Sequence, residues 1–162
     1  MEEIIKIVVA ITLIYVAIIL LFLIPLFIKK KRIDDKIQLL SNNSIEITPD
    51  EFFNMRKFTF GGKGKPSYAS KQDFSGIYIL HNETKNMYYI GQGKNVFVRV
   101  NAHFTGKGNG DVYADYKHGD YFTIKMISLK NSGFNSLNEL EKSAISFYDS
   151  FAHGYNKTRG NK

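Results

Sequence analysis

The chain has 162 residues, 44% of them hydrophobic, with no cysteine and no tryptophan. Disulfides and cysteine-bearing zinc sites are therefore excluded, and the composition fits a reducing compartment. A formal net charge of +7 points to a polyanionic partner, either nucleic acid or an anionic membrane face.

The charge is uneven along the chain. Residues 1–32 carry five Lys/Arg against two Glu, and residues 33–73 balance at six against six. Residues 74–162 carry eleven against seven, a net of +4 on the part that looks most like a folded domain.

The first element is "IVVAITLIYVAIILLFLIPLFI", Ile7 to Ile28, uncharged and followed at once by "KKKR". As a helix it is roughly 33 Å long, enough for the hydrocarbon core of a bilayer. A cleaved signal peptide fits poorly: "MEEIIK" is not basic, the run is too long and no small-residue cleavage site follows. Residues 1–32 therefore read as a single-pass anchor. Lys29 to Arg32 place the following chain in the cytoplasm and the N-terminus outside the cell membrane. That topological role accounts for the four cations.

Residues 33–73 read as a linker. Thr48, Pro49 and Glu51 form a helix-start signature, which predicts a short helix near 49–57. "GGKGKPS" reads as a flexible basic loop. A domain at 74–162 follows, and no internal repeat is visible.

In "FSGIYILHNETKNMYYIGQG" the runs "GIYIL" and "MYYIG" read as two strands, with "HNETKN" as their hairpin turn. Gly76 and Gly91 stand in the strand flanks and suggest close backbone approach or a bulge. Asn95 is then a candidate cap for a helix with Val96, Val100 and Phe104 on its inner face. Arg99 and His103, four apart, share another face, able to grip a phosphate and to exchange a proton.

"TGKGNGDVYADYKHGD" reads as a mobile loop over nucleic acid, with Lys107 facing the phosphates. Asp111, Asp115 and Asp120 match no Ca²⁺-loop spacing and read as solvated turn residues. "YFTIKMISL" supplies a third strand.

"SLNELEKSAISFYDS", Ser136 to Ser150, reads as a helix opened by a capping box of Ser136 and Glu139. Its apolar face holds Leu137, Leu140, Ala144, Ile145, Phe147, Tyr148 and Phe151. Glu139 lies opposite that face, but Glu141 lies within it. A buried carboxylate is costly unless it is paired, with Arg99 or a lysine for example, or holds a metal. The helix alone leaves both options open.

Together, "GIY" at 76–78, "YIG" at 89–91, Arg99, a later helical Glu and "GYN" at 154–156 resemble the GIY-YIG nuclease domain. The resemblance covers residues 74 to about 160. It implies a small α/β (α+β) fold, a three-stranded, mostly antiparallel sheet flanked by helices. It implies that Tyr78 and Tyr89 line the site and position or activate water, and that Arg99 contacts the scissile phosphate. It places His103 near that phosphate, Glu141 as the single metal ligand for Mg²⁺ or Mn²⁺, and Asn156 at the close of the domain. Many members carry Lys or Ser where this chain has Gln92, which leaves Lys94 as a phosphate contact at best. Asn156, Lys157 and Arg159 complete the candidate DNA contacts, and a small-molecule cofactor is not expected.

The expectation is a membrane-anchored, metal-dependent endonuclease acting on DNA near the inner membrane face. Either His103 or a tyrosine could serve as the base. The alternatives are a membrane-tethered module that binds nucleic acid without cutting it, and an interaction partner for a membrane complex.

Overall fold

The computed structural model describes residues 1–59, 67 and 71–160, so most of "GGKGKPS" and the terminal Lys162 lie outside the described residues. The chain forms two compact units, Met1–Lys36 and Ile37–Lys162.

Helix α1 (Glu2–Asn42) fills the first unit. By length and composition it can cross a membrane, with a mean hydropathy of 3.3 over its most apolar window. Its last residues belong to the second unit, where Ile37 and Ser41 are buried and the Tyr148 hydroxyl donates to Ser41 Oγ at 2.6 Å.

The second unit is built on an antiparallel sheet. Strands β1 (Glu46–Ile47), β2 (Gly76–Asn82), β3 (Met87–Gly93) and β4 (Phe122–Ser128) lie in the order β1-β4-β2-β3. Every neighbouring pair is antiparallel. The sequence predicts three strands, and β1 is the addition. Two residues are too short to show an alternating pattern. What holds β1 is its pairing with β4, where Glu46 meets Lys125 at 3.6 Å and accepts from Thr123 at 2.8 Å.

Helices α2 (Pro49–Lys57), α3 (Val96–Phe104), α4 (Gly110–His118) and α5 (Leu137–Phe147) flank the sheet. Tyr78 and Leu80 of β2 join Phe52, Val96, Phe97, Val100, Phe104 and Val112 in one core. By alternation, Ile77, Ile79 and Ile90 point to the other face, and they are buried along with Leu140, Ala144 and Ile145 of α5.

The helix starts depend on caps. Thr48 and Glu51 close a full capping box on α2. Asn95 makes no side-chain cap bond on α3; Asp73 Oδ1 instead accepts the Phe97 N–H at 2.9 Å. A residue 24 positions upstream gives no local signal. The stretch expected as a mobile loop contains α4, because Asn109 Oδ1 accepts from Asp111 and Val112 and Gly119 ends the helix at φ 105°. Ser136 caps α5, but the Glu139 carboxylate accepts from Asn135 at 2.9 Å, one residue before the expected partner. Helix α5 stops at Phe147, which leaves Phe151 beyond it and exposed.

Candidate active site

The candidate residues gather where β3 meets α5 and the C-terminal segment. Tyr78, Tyr89, Gly91, Gln92, Arg99, Asn109, Glu141, Asn156, Lys157 and Gly160 are among the residues lining one cavity of about 250 Å³. Tyr78 pairs across the sheet with Gly91. A Cβ at Gly91 would overlap the Tyr78 phenol, so the missing side chain lets the hydroxyl reach the cavity. The expectation of close approach at Gly76 and Gly91 is met, since a Cβ at Gly76 would overlap the Ile127 carbonyl.

His103 does not share an exposed face with Arg99. It is 2% exposed, and its Nε2 lies 2.9 Å from the Tyr78 hydroxyl. Its Nδ1 accepts the Asn109 backbone N–H at 2.9 Å. A neutral imidazole that accepts at Nδ1 carries its proton on Nε2. His103 therefore donates to the Tyr78 oxygen. Burial, with the nearby Arg99 charge adding to it, pushes His103 down to about 4, so the ring is neutral near pH 7.

Burial also raises the Tyr78 and Tyr89 phenols above their ordinary value, and the Arg99 charge opposes the rise at both. The two rings and His103 form one cluster, with Tyr78–Tyr89 centroids 6.2 Å apart and Tyr89–His103 centroids 4.7 Å apart.

Glu141 is 7% exposed, inside the apolar face of α5. Gln92 Nε2 donates to Glu141 Oε2 at 2.9 Å and to Asn138 Oδ1 at 2.7 Å. The sequence shows Gln92 only as a departure from the usual Lys or Ser. The structure makes it the residue that grips the carboxylate. Among the described residues no cluster of three or more His, Cys, Asp or Glu could hold a metal. A hard divalent ion needs only one or two carboxylates and retains water. One buried carboxylate in a polar-lined cavity fits such an ion.

Asn156 serves the sheet edge. Its Oδ1 accepts from the Ile90 N–H and its Nδ2 donates to the Ile90 carbonyl, both at 2.8 Å. Because β3 ends the sheet, this residue supplies the pairing a further strand would give. Its side-chain amide could reach DNA only by breaking that pairing.

The remaining cations are more scattered. Lys157 lines the cavity and pairs with Asp111 at 2.8 Å. Lys94 and Lys107 are exposed and do not line it. Arg159 lies over the Phe151 ring at 5.2 Å and lines a neighbouring cavity with Lys142. Asp115 and Asp120, expected as solvated turn residues, instead join Lys85, Asn82 and Tyr155 in a polar network.

The family model for the GIY-YIG catalytic domain matches residues 74–156, half of the chain. The chain belongs to the GIY-YIG family. Its GIY-YIG domain is also similar to the solved catalytic domain of the intron endonuclease I-TevI, in a point-mutant form. That match is 25% identical, covers 54% of this chain and 96% of that one, and has a TM-score of 0.42. No curated protein matches.

The sequence reading missed Asn109 and Asn138 in the GIY-YIG domain. Asn109 stands among glycines that suggest an unstructured loop, and Asn138 sits one turn before Glu141 with nothing to distinguish it from helix surface.

Proposed function

We propose that this chain is a membrane-anchored endonuclease that hydrolyses DNA phosphodiester bonds near the inner face of the cell membrane. Residues 1–32 form the anchor, the N-terminus is outside, and the nuclease domain at 74–162 is cytoplasmic behind the 33–73 segment. The observation that carries the catalytic reading is one cavity that collects Tyr78, Tyr89, Arg99 and Glu141 from two strands and two helices of a GIY-YIG domain.

In this reading Arg99 presents its guanidinium fork to the scissile phosphate and offsets charge that grows on the non-bridging oxygens. Tyr78, kept a neutral phenol by burial, orients the attacking water, whose proton passes to solvent in the cavity as the new P–O bond forms and the bond to the leaving oxygen breaks. His103 holds its Nε2–H on the Tyr78 oxygen, which turns the phenol's own O–H away from the imidazole. It does not act as the base, since its remaining lone pair is held by the Asn109 N–H. Tyr89 packs beside Tyr78 and fixes its ring. Glu141, gripped by Gln92, would hold one Mg²⁺ or Mn²⁺. When bound, such an ion would stabilise charge on the phosphate and leaving oxygens.

The anchor reading is supported by the length and hydropathy of α1 and by Lys29–Arg32 directly after its apolar run.

The deciding experiment uses full-length protein in detergent with supercoiled plasmid and Mg²⁺, comparing wild type, Glu141→Ala and Glu139→Ala. Loss of nicking in Glu141→Ala alone is the expected result. Binding without cutting in all three proteins would make the domain a tether.

A further inference from the structure

We infer that the Gly108–Asn109 turn between α3 and α4 is a tautomer lock, and that Asn109 is a positioning residue acting on Tyr78 through His103. The inference rests on the nuclease reading only for its kinetic consequence; its structural content stands apart from it.

An imidazole has two neutral tautomers, and the partner of one nitrogen decides the other. If Nδ1 carried the proton, Nε2 would accept from the Tyr78 hydroxyl, and the tyrosine oxygen would be left as a phenol donating into the protein. With Nδ1 accepting, the direction reverses and the Tyr78 oxygen becomes an acceptor. The group that sets this direction is the Asn109 backbone N–H, 2.9 Å from Nδ1.

Three features hold that N–H in place. Asn109 Oδ1 caps α4 through Asp111 at 2.9 Å and Val112 at 3.1 Å. Its Nδ2 donates to the Tyr155 carbonyl at 3.1 Å, tying the turn to the C-terminal segment. Gly108 lies so close that a Cβ there would sit 2.6 Å from Nδ1 and 2.8 Å from the His103 Cα. Only a residue without a side chain lets the turn pass over the ring. Cap, tether and glycine thus converge on one backbone donor.

Replacing the amide by an ester supplies the test. Proline would not serve, because its Cδ takes the place of the hydrogen that points at Nδ1. Asn109→Ala, and the same variant with an ester oxygen in place of the residue 109 N–H, both lose the cap and the Tyr155 bond, so their difference isolates the N–H. Full-length protein labelled with ¹⁵N would be studied in detergent micelles, with the His103 signals assigned against His103→Gln. Wild type and Asn109→Ala, which keeps the backbone donor and the Gly108 turn, are expected to show the Nε2–H tautomer, and the ester form of Asn109→Ala a mixture.

On plasmid DNA with Mg²⁺, kcat of the ester form should fall about tenfold below that of Asn109→Ala with KM little changed, the size expected of an outer-shell partner. Gly108→Ala, which displaces the turn without removing any donor, should shift the tautomer the same way. An Nδ1–H tautomer in wild type would overturn the inference, as would identical tautomers and kcat in Asn109→Ala and its ester form. If wild type does not cut DNA at all, the nuclease reading fails while the nitrogen spectrum still decides the lock.

Discussion

Gln92 Nε2 donates to Glu141 Oε2 at 2.9 Å and, through the same nitrogen, to Asn138 at 2.7 Å. One side-chain amide from β3 therefore fixes the orientation of the one acidic carboxylate that lines the cavity among the described residues. Groups that orient a metal ligand typically matter 10- to 100-fold for affinity or activity, by order of magnitude. Gln92→Leu is expected to weaken Mn²⁺ binding roughly tenfold or more, read from the free Mn²⁺ resonance signal during titration. Gln92→Asn, with a shorter reach, should fall between it and wild type. Equal Mn²⁺ affinity in all three would leave Gln92 without this role.

Gly91 is the second feature the site depends on. Alanine there overlaps the Tyr78 phenol, which is fully buried and could yield only by shifting into the cavity it lines. Overpacking of this kind costs about 1–3 kcal/mol and displaces the ring. Gly91→Ala should lose most plasmid nicking and melt lower. In a Tyr78→Ala background the phenol oxygen and ring carbons that the new methyl would overlap are gone, so Gly91→Ala should lower the melting temperature less there than in wild type. An equal drop in both backgrounds would place the clash elsewhere.

How far these positions are legible from sequence depends on distance along the chain. Glu141 is visible because helical spacing places it on an apolar face, and the structure buries it there. Gly91 is visible because a glycine in a strand flank signals close approach. The Thr48 capping box is likewise local and present. Asp73 capping α3 and Gln92 gripping Glu141 span 24 and 49 positions, and no local pattern encodes either. Strand β1 has only two residues and exists through β4. Glycines near 106–110 suggest looseness, whereas Gly108 is there for tight packing against His103.

His103 gives the domain a predictable acid sensitivity. Its pKa is lowered by burial, then by Arg99, from 6.5 to about 4. The unfolded chain therefore binds a proton more readily than the folded one between those values, so this residue's contribution is full above about 6.5 and is lost as pH falls toward 4. The full window is worth at most about 3 kcal/mol. His103→Gln should flatten the pH dependence of the melting temperature between pH 6.5 and 4 relative to wild type. Parallel curves would mean that other groups carry the acid sensitivity.

The anchor makes its own prediction. A helix that spans the bilayer is not released by salt or alkaline carbonate, because what holds it is apolar burial. Full-length protein should remain in the membrane pellet after both washes, and a chain starting at residue 33 should not. Protease added to intact spheroplasts should leave the nuclease domain whole if Lys29–Arg32 lie on the inner side, as proposed. Digestion from outside would reverse the proposed topology.

Lys157 and Asp111 form an exposed pair at 2.8 Å, with side chains 75% and 58% accessible. Such pairs contribute about 0–1 kcal/mol, so a DNA phosphate can replace the aspartate at little cost. Each phosphate contact adds about 0.9 to the slope of log K against log salt. Binding would be followed by anisotropy on a labelled duplex in the Glu141→Ala background with EDTA, so that nothing is cut. Lys157→Ala should lower affinity and reduce the slope by about 0.9. Asp111→Ala removes the competitor for the same ammonium and should raise affinity without changing the slope much. Lys94→Ala and Lys107→Ala, outside the cavity, test whether the duplex runs along α3 as well as over the site. If Lys157→Ala leaves the slope unchanged while Asp111→Ala changes nothing, Lys157 is held by the protein and does not meet the phosphates.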